Sequence, residues 1–438
     1  MSARTWVRSD VMVPLALGLG LGLGIAVQPK LAVLGVVGLG VAFLGVTRPV
    51  SLVAMMFLGM LFDRLGVTGM KLGAFPVTAS KLSVLGGLGL WSVHAVITGA
   101  RPVRWHPVLS AMLGVIGVTS VTIVVANSLT LGKFTLYGMM MMMVMVGLVY
   151  AVLADAKLRP LYSVLAVALA LAVMASLRGA AGRATGTMGD PNEWATCVLL
   201  LTPLVLGGLA DDPSWHSRVL RIGLLLLAPV GILRTESRTA LVVGLISFPG
   251  WIYILRRHRG DLAACAVAAL VAAPFVVDVD TALLRFRQLM QNLQGAAVVR
   301  DQSLEERSEL FRQGKQLFYD HWFVGAGPGN FSTATGFISQ TGSFRPAHNT
   351  YLEIAAEQGV VGLLPVVIFI GTVAVTLRQA YRASTRPSDQ NRVLGVAMGL
   401  AALSLMAATL GLLTFSMAYL VLGFGLAVAH QAGGAHVV

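Results

Sequence analysis

Charge is what this sequence has little of. Only 12% of its 438 residues are Asp, Glu, Lys or Arg, against 56% from the hydrophobic set. Soluble domains carry about 25% charged residues, so water is not the main solvent of this chain. Cysteine is scarcer still. Cys197 and Cys265 are the only two and both lie inside apolar runs, which supports neither a disulfide framework nor a cysteine metal site. No two histidines have the spacing of H-x-x-x-H or H-E-x-x-H, so neither a metal nor another cofactor is expected. No internal repeat of the kind that pairs the halves of many transporters is visible either.

Long apolar runs dominate what is present. About 20 apolar residues cross a hydrocarbon core of roughly 30 Å. Runs between charge clusters fall near 11–27, 31–47, 50–62, 82–98, 107–126, 134–153, 160–177, 194–210, 219–234, 238–255, 262–277, 351–376, 393–410 and 412–429. The third is short and the last two nearly touch. The expected fold is an all-α polytopic transmembrane helix bundle of about 12–14 spans, with one long extracytoplasmic loop containing an amphipathic helix. The first run follows a basic N-terminus as in a signal peptide, but it is long and lacks a clear cleavage site, so it is read as a retained span. The 49 glycines, as in the Leu-Gly alternation of 17–24, fit close helix packing in lipid.

The net charge of +13 is scattered between the spans without a continuous basic face, which argues against nucleic acid and for membrane topology and anionic lipid. Basic short loops stay cytoplasmic. With the N-terminus inside, Arg101/Arg104, Lys157/Arg159, Arg218/Arg221, Arg256/Arg257/Arg259 and Arg378/Arg382/Arg386/Arg392 all fall inside, as does the C-terminus. The one long polar segment, 278–350, then falls outside. Within it, Leu304, Leu310/Phe311 and Leu317/Phe318 recur every seven residues among charges over 303–321, predicting a one-faced helix lying along the membrane surface. Gly325-Ala326-Gly327-Pro328-Gly329-Asn330 predicts a tight turn. A phosphate cradle is the other reading, but no lysine follows and no strand precedes.

Three clusters can carry chemistry. Arg178, Arg183, Arg234 and Arg238 face outward in short loops, against the charge rule. A guanidinium forks onto phosphate oxygens, so these point to an anionic, phosphorylated ligand, with lipid headgroups or Glu236 as the plainer partners. Asp190-Pro191-Asn192 opens a span, as a helix cap and as a helix N-terminus able to face an anion. Arg345-Pro346-Ala347-His348-Asn349-Thr350-Tyr351-Leu352-Glu353 stands where the long loop returns to the membrane; His348 there is either a general base or, with Asn349, a helix cap.

Three segments taken together resemble the O-antigen ligase and polymerase superfamily, bacterial enzymes that act on lipid-linked glycans: Thr235-Glu236-Ser237-Arg238-Thr239-Ala240; the stretch from Arg307 through Asp320-His321-Trp322-Phe323-Val324-Gly325-Ala326-Gly327-Pro328-Gly329-Asn330-Phe331; and Ala347-His348-Asn349-Thr350-Tyr351-Leu352-Glu353-Ile354-Ala355-Ala356-Glu357-Gln358-Gly359. The entry at Asp190-Pro191-Asn192 also fits that family's pattern. Two positions depart from it: Thr239 stands where glycine is usual and Trp322 where proline is common. The resemblance covers about 235–375 and divides the chain into an N-terminal bundle (1–234), a ligase-like core (235–376) and C-terminal helices (377–438). It implies a glycosyltransferase that moves a glycan from an undecaprenyl-pyrophosphate carrier to an acceptor hydroxyl on glycan, lipid or protein, in a bacterial cytoplasmic membrane. His348 would be the base. Arg238 and Arg345 would hold the pyrophosphate, with Arg183, Arg178 and Arg307 behind them, and Asp190, Asn192, Asn349 and Glu353 in support. The rival reading is a polysaccharide or lipid transporter without transferase activity. Against it stand the missing repeat and the scarcity of ionisable residues at span centres, where His94 is the main exception.

Overall fold

The computed structural model describes residues 45–61, 71–72, 75–76, 79–99, 104–126, 128–177, 184–185, 190–276, 287, 302–336, 347–413 and 415–433. The span expected at 11–27, and all of that at 31–47 but its last three residues, lie outside these residues. The other twelve coincide with helices: α1 (Pro49–Leu61), α2 (Ala79–Thr98), α3 (Pro107–Thr122), α4 (Leu129–Leu153), α5 (Arg159–Leu177), α6 (Pro191–Leu209), α7 (Trp215–Arg234), α8 (Arg238–Ile254), α9 (Arg259–Val276), α12 (Thr350–Ala383), α13 (Pro387–Ala407) and α14 (Ser416–Gly433). Between α9 and α12 lie α10 (Gln302–Asp320) and α11 (Phe331–Thr335). A two-residue ladder of Lys71–Leu72 with Phe75–Pro76 precedes α2. The architecture is an all-α polytopic bundle. Among the described residues, α3 with the turn after it, α4, α5, α6, α7, α12 and α14 are long and apolar enough to cross a bilayer.

The helices begin where local chemistry starts them. Asp190, Ser214, Ser237 and Asn349 accept from backbone N–H groups of the first turns of α6, α7, α8 and α12. These caps absorb donors that a first turn leaves without helical partners. Pro107, Pro191 and Pro387 occupy first positions, where a missing N–H costs nothing. Packing is close where side chains are small. Any Cβ on Gly207 would meet the backbone of Asn391 on α13, and one on Gly395 or Gly399 would meet the carbonyls of Pro203 and Leu200 on α6. Glycine thus lets α6 and α13 pack backbone to backbone, as membrane helices do.

The two ends of the bundle differ in chemistry. At one end, buried Arg221 forks onto Asp261 at 2.7 and 2.9 Å and donates to the carbonyls of Leu209 and Asp212, tying α6, α7 and α9 together. Arg218 also pairs with Asp261, and Arg159 pairs with Asp212. Arg104 pairs with Asp155, and Gln431 donates to the carbonyls that end α4. These are residues assigned to the basic, cytoplasmic side by the charge rule. The opposite end carries Asp190, Ser237, the glycine turn and His348, so the candidate residues that are described gather at one end.

Candidate functional site

The site is built around a break in α12. Gly359 has φ +60° and ψ −161°, a conformation essentially confined to glycine, and the helix is interrupted there. Such a break frees backbone groups that must find partners elsewhere. The glycine turn supplies them. The carbonyls of Ala356 and Glu357 accept from Ala326 and Gly327 at 3.0 and 2.7 Å, while the N–H groups of Val360 and Val361 donate to Trp322 and Phe323 at 2.9 and 3.2 Å. Gly325 and Gly359 are required at this crossing, since a Cβ on either would enter the other strand's backbone.

Glu357 completes the junction. Fully buried, its carboxylate accepts from the N–H groups of Gly329 at 2.7 Å and Phe331 at 2.8 Å. Asn330 then ties the turn to the α3–α4 connection: its carbonyl oxygen accepts from the Ser128 N–H at 2.7 Å and its amide donates to the Ser128 carbonyl. Beside it, Gln358 accepts from the Thr119 hydroxyl at 2.9 Å. Every N–H from Gly325 to Phe331 therefore has an acceptor within the protein. The turn is structural, and the phosphate-cradle reading is set aside because its donors are already used.

The same junction positions His348. Leu310, Phe331, Ala347 and Ala356 form a small core of their own, so α10 runs past the residue that precedes the histidine. The Ala347 N–H also donates to the Glu353 carboxylate. On the other side, the Asn349 side chain caps Leu352 at 3.0 Å. Thr350 bonds the Leu410 carbonyl through its N–H and its hydroxyl, and that hydroxyl accepts from Leu412. His348 lies between these anchors, half-buried and with φ +51°. Glu236, with φ +53°, is the only other non-glycine residue at positive φ among the described residues, and it lies in the Thr235-Glu236-Ser237-Arg238 turn. Left-handed backbone costs an ordinary residue about 1–2 kcal/mol, and such strain clusters at functional sites.

The other expected site residues divide clearly. Arg238 is the first residue of α8 and half-buried, and Arg307 lies half-buried one turn before Leu310 on α10. Asp190 caps α6 through the N–H groups of Asn192 and Glu193, at 2.7 and 3.1 Å. Arg234 is exposed at the end of α7, and its carbonyl accepts from Ala184, which brings that segment to the α7–α8 turn. Arg178, Arg183 and Arg345 lie outside the described residues. Residue-by-residue reading missed Glu357. Its signal was present, a carboxylate inside an apolar run, which marks a functional or structural role by default. The amphipathic helix expected at 303–321 is α10, yet its Leu310 and Leu317 pack against protein rather than lipid.

An apolar cavity of about 990 Å³ opens from this region. It runs between α3, α12, α13 and α14, from Thr350 and Leu412 at the His348 end to Arg378 and Tyr381 at the other.

Residues 222–367, about a third of the chain, match the model of a family described as O-antigen ligase. The match covers α8, the long loop, the glycine turn and the first half of α12, and it bears out the resemblance drawn from those segments over that span. The family is one of membrane proteins with ligase- or polymerase-type activity toward glycans. No curated protein matches the chain.

Proposed function

We propose, from the O-antigen ligase match of residues 222–367, that the chain transfers a glycan from an undecaprenyl-pyrophosphate carrier to an acceptor hydroxyl on the extracytoplasmic face of a bacterial cytoplasmic membrane. The observation that carries this reading is His348, held in strained backbone between two anchors and two residues before Thr350, which lines an apolar cavity. A fixed imidazole accepts the proton of the acceptor hydroxyl as that oxygen attacks the anomeric carbon. A new C–O bond forms with inversion, the bond from the anomeric carbon to phosphate breaks, and the lipid pyrophosphate leaves. Guanidinium groups answer the charge that develops on it. Arg238 and Arg345 take that role, with Arg183, Arg178 and Arg307 as further partners. Asn349 and Glu353 hold the histidine segment, and Asp190 with Asn192 order the mouth of α6. The apolar cavity suits the hydrocarbon of the carrier.

Residues 235–376, most of which lie within the matched span, act as the ligase core, flanked by the bundles 1–234 and 377–438, with both termini cytoplasmic. The partners are the lipid-linked donor, a glycan, lipid or protein acceptor, and membrane lipid. Purified protein given a lipid-pyrophosphate glycan and an acceptor tests the reading. Transfer is expected from the wild type and is lost in His348→Ala. A chain that moves lipid without chemistry would give no product even unmutated.

A further inference from the structure

Helix α10 has three sides. Leu310, Gly314 and Leu317 face the protein, where Gly314 sits against Leu352 and Phe331. Glu309, Gln316 and Asp320 make a polar side, with Glu309 paired to Arg312 and Gln316 donating to Asp320. The third side is neither: Phe311, Lys315 and Tyr319 succeed one another at four-residue spacing, so they share a face. Trp322 and Phe323 follow directly. Phe311, Tyr319, Trp322 and Phe323 are each 47–64% exposed. Four large aromatic residues left open together mark an interaction surface rather than a solvated one.

We propose that this aromatic face is the protein's anchor in the lipid headgroup layer at the His348 end of the bundle. Its occupant follows from continuity. The Trp322 and Phe323 carbonyls accept from Val360 and Val361, so the segment carrying these rings lies against α12 where its outward row begins. Val360, Leu364, Val367 and Ile368 are exposed along that row and wholly apolar, as a lipid-facing helix surface must be. Trp and Tyr belong where such a surface meets water, because each has an apolar body and a polar tip. The Lys315 ammonium lies 5.9 Å from the centroid of the Phe311 ring, a cation beside the aromatic face suited to lipid phosphate. An interfacial helix sinks its apolar side roughly 5–10 Å into the headgroup boundary. Seated so, α10 holds the glycine turn and Ala347 at headgroup depth, and acceptor hydroxyls approach His348 from the water side.

Depth measurement tests this on the full chain in nanodiscs of phosphatidylethanolamine and phosphatidylglycerol. Trp322→Cys and Tyr319→Cys, with Gln316→Cys on the polar side, carry an environment-sensitive fluorophore; Cys197 and Cys265 are buried. Nitroxide lipids labelled high on the acyl chain should quench the Trp322 and Tyr319 positions at least twofold more than Gln316. Iodide should show the reverse order. Equal iodide quenching at all three sites overturns the proposal, and so does protection of Trp322 and Tyr319 from both quenchers, which indicates a second copy or another protein on this face. Phe311→Cys, on the same face, replaces a variant that fails to assemble.

Discussion

The Glu357 carboxylate lies 2.7 Å from the backbone nitrogen of Gly329, so a residue of a membrane helix fixes the turn of an extramembrane loop. A second bond to Phe331 uses the other carboxylate oxygen. Glu357→Gln keeps one acceptor and turns the other into a donor facing an N–H group. An orphaned buried donor costs about 1–3 kcal/mol. The variant should melt at lower temperature than wild type, with faster amide exchange at Gly329 or Phe331. Unchanged exchange at both would show that the carboxylate does not hold the turn.

Gly359→Ala attacks the same junction from the backbone. The residue must sit at φ +60° with its Cβ against the Phe323 carbonyl. Steric strain of about 1–3 kcal/mol follows before any repacking. Reduced folded yield and loss of transfer are expected together. An alanine variant with wild-type thermal stability would contradict the break in α12.

His348 permits a substitution that separates backbone from chemistry. Asparagine tolerates left-handed backbone better than alanine does and brings no base. His348→Asn should therefore retain wild-type melting yet lose about 10²–10⁴-fold in kcat, the usual contribution of a positioned base. A variant with full activity in a defined transfer assay would remove His348 from the reaction.

Asp212 makes the opposite end of the bundle sensitive to acid. Burial works to raise its pKa, but bonds from the Ser217 hydroxyl, Ser214 and Arg159 outweigh it and hold the group down to about 2. A folded value below the unfolded one of about 3.9 means that its contribution to stability is complete above that pH and is lost as pH falls toward 2. Asp212→Asn should lower the melting temperature at neutral pH. The gap between variant and wild type should close between about pH 4 and pH 2. A gap independent of pH would exclude the carboxylate as its source.

Chelation bears on the leaving group. Under the proposed reading, guanidinium groups supply the positive charge. Transfer should then persist in excess EDTA. Loss of product in EDTA with recovery on adding magnesium or manganese would overturn the arginine-only account.

Much of this was legible in the sequence because single residues announce it. Asp190 and Asn349 marked helix starts, and each caps one. The seven-residue recurrence over 303–321 marked α10, which spans Gln302–Asp320. Charge clusters were poorer guides to helix ends. The expected span 351–376 continues to Ala383, because Arg378 and Arg382 mark where apolar surroundings stop while the backbone carries on as helix. Tertiary partners were hidden altogether. Nothing local to Gly325–Asn330 says that its donors are used by Glu357 and by the carbonyls before Gly359, since those acceptors are freed only when α12 breaks.

That break has a consequence for engineering and for divergence. Loop and span are threaded through one another by four main-chain bonds and a carboxylate, so neither can be exchanged alone. A chimera that imports 302–336 from another protein must bring 353–361 with it. The loop and the start of α12 are therefore inherited as one discontinuous cassette rather than as a freely swappable insert.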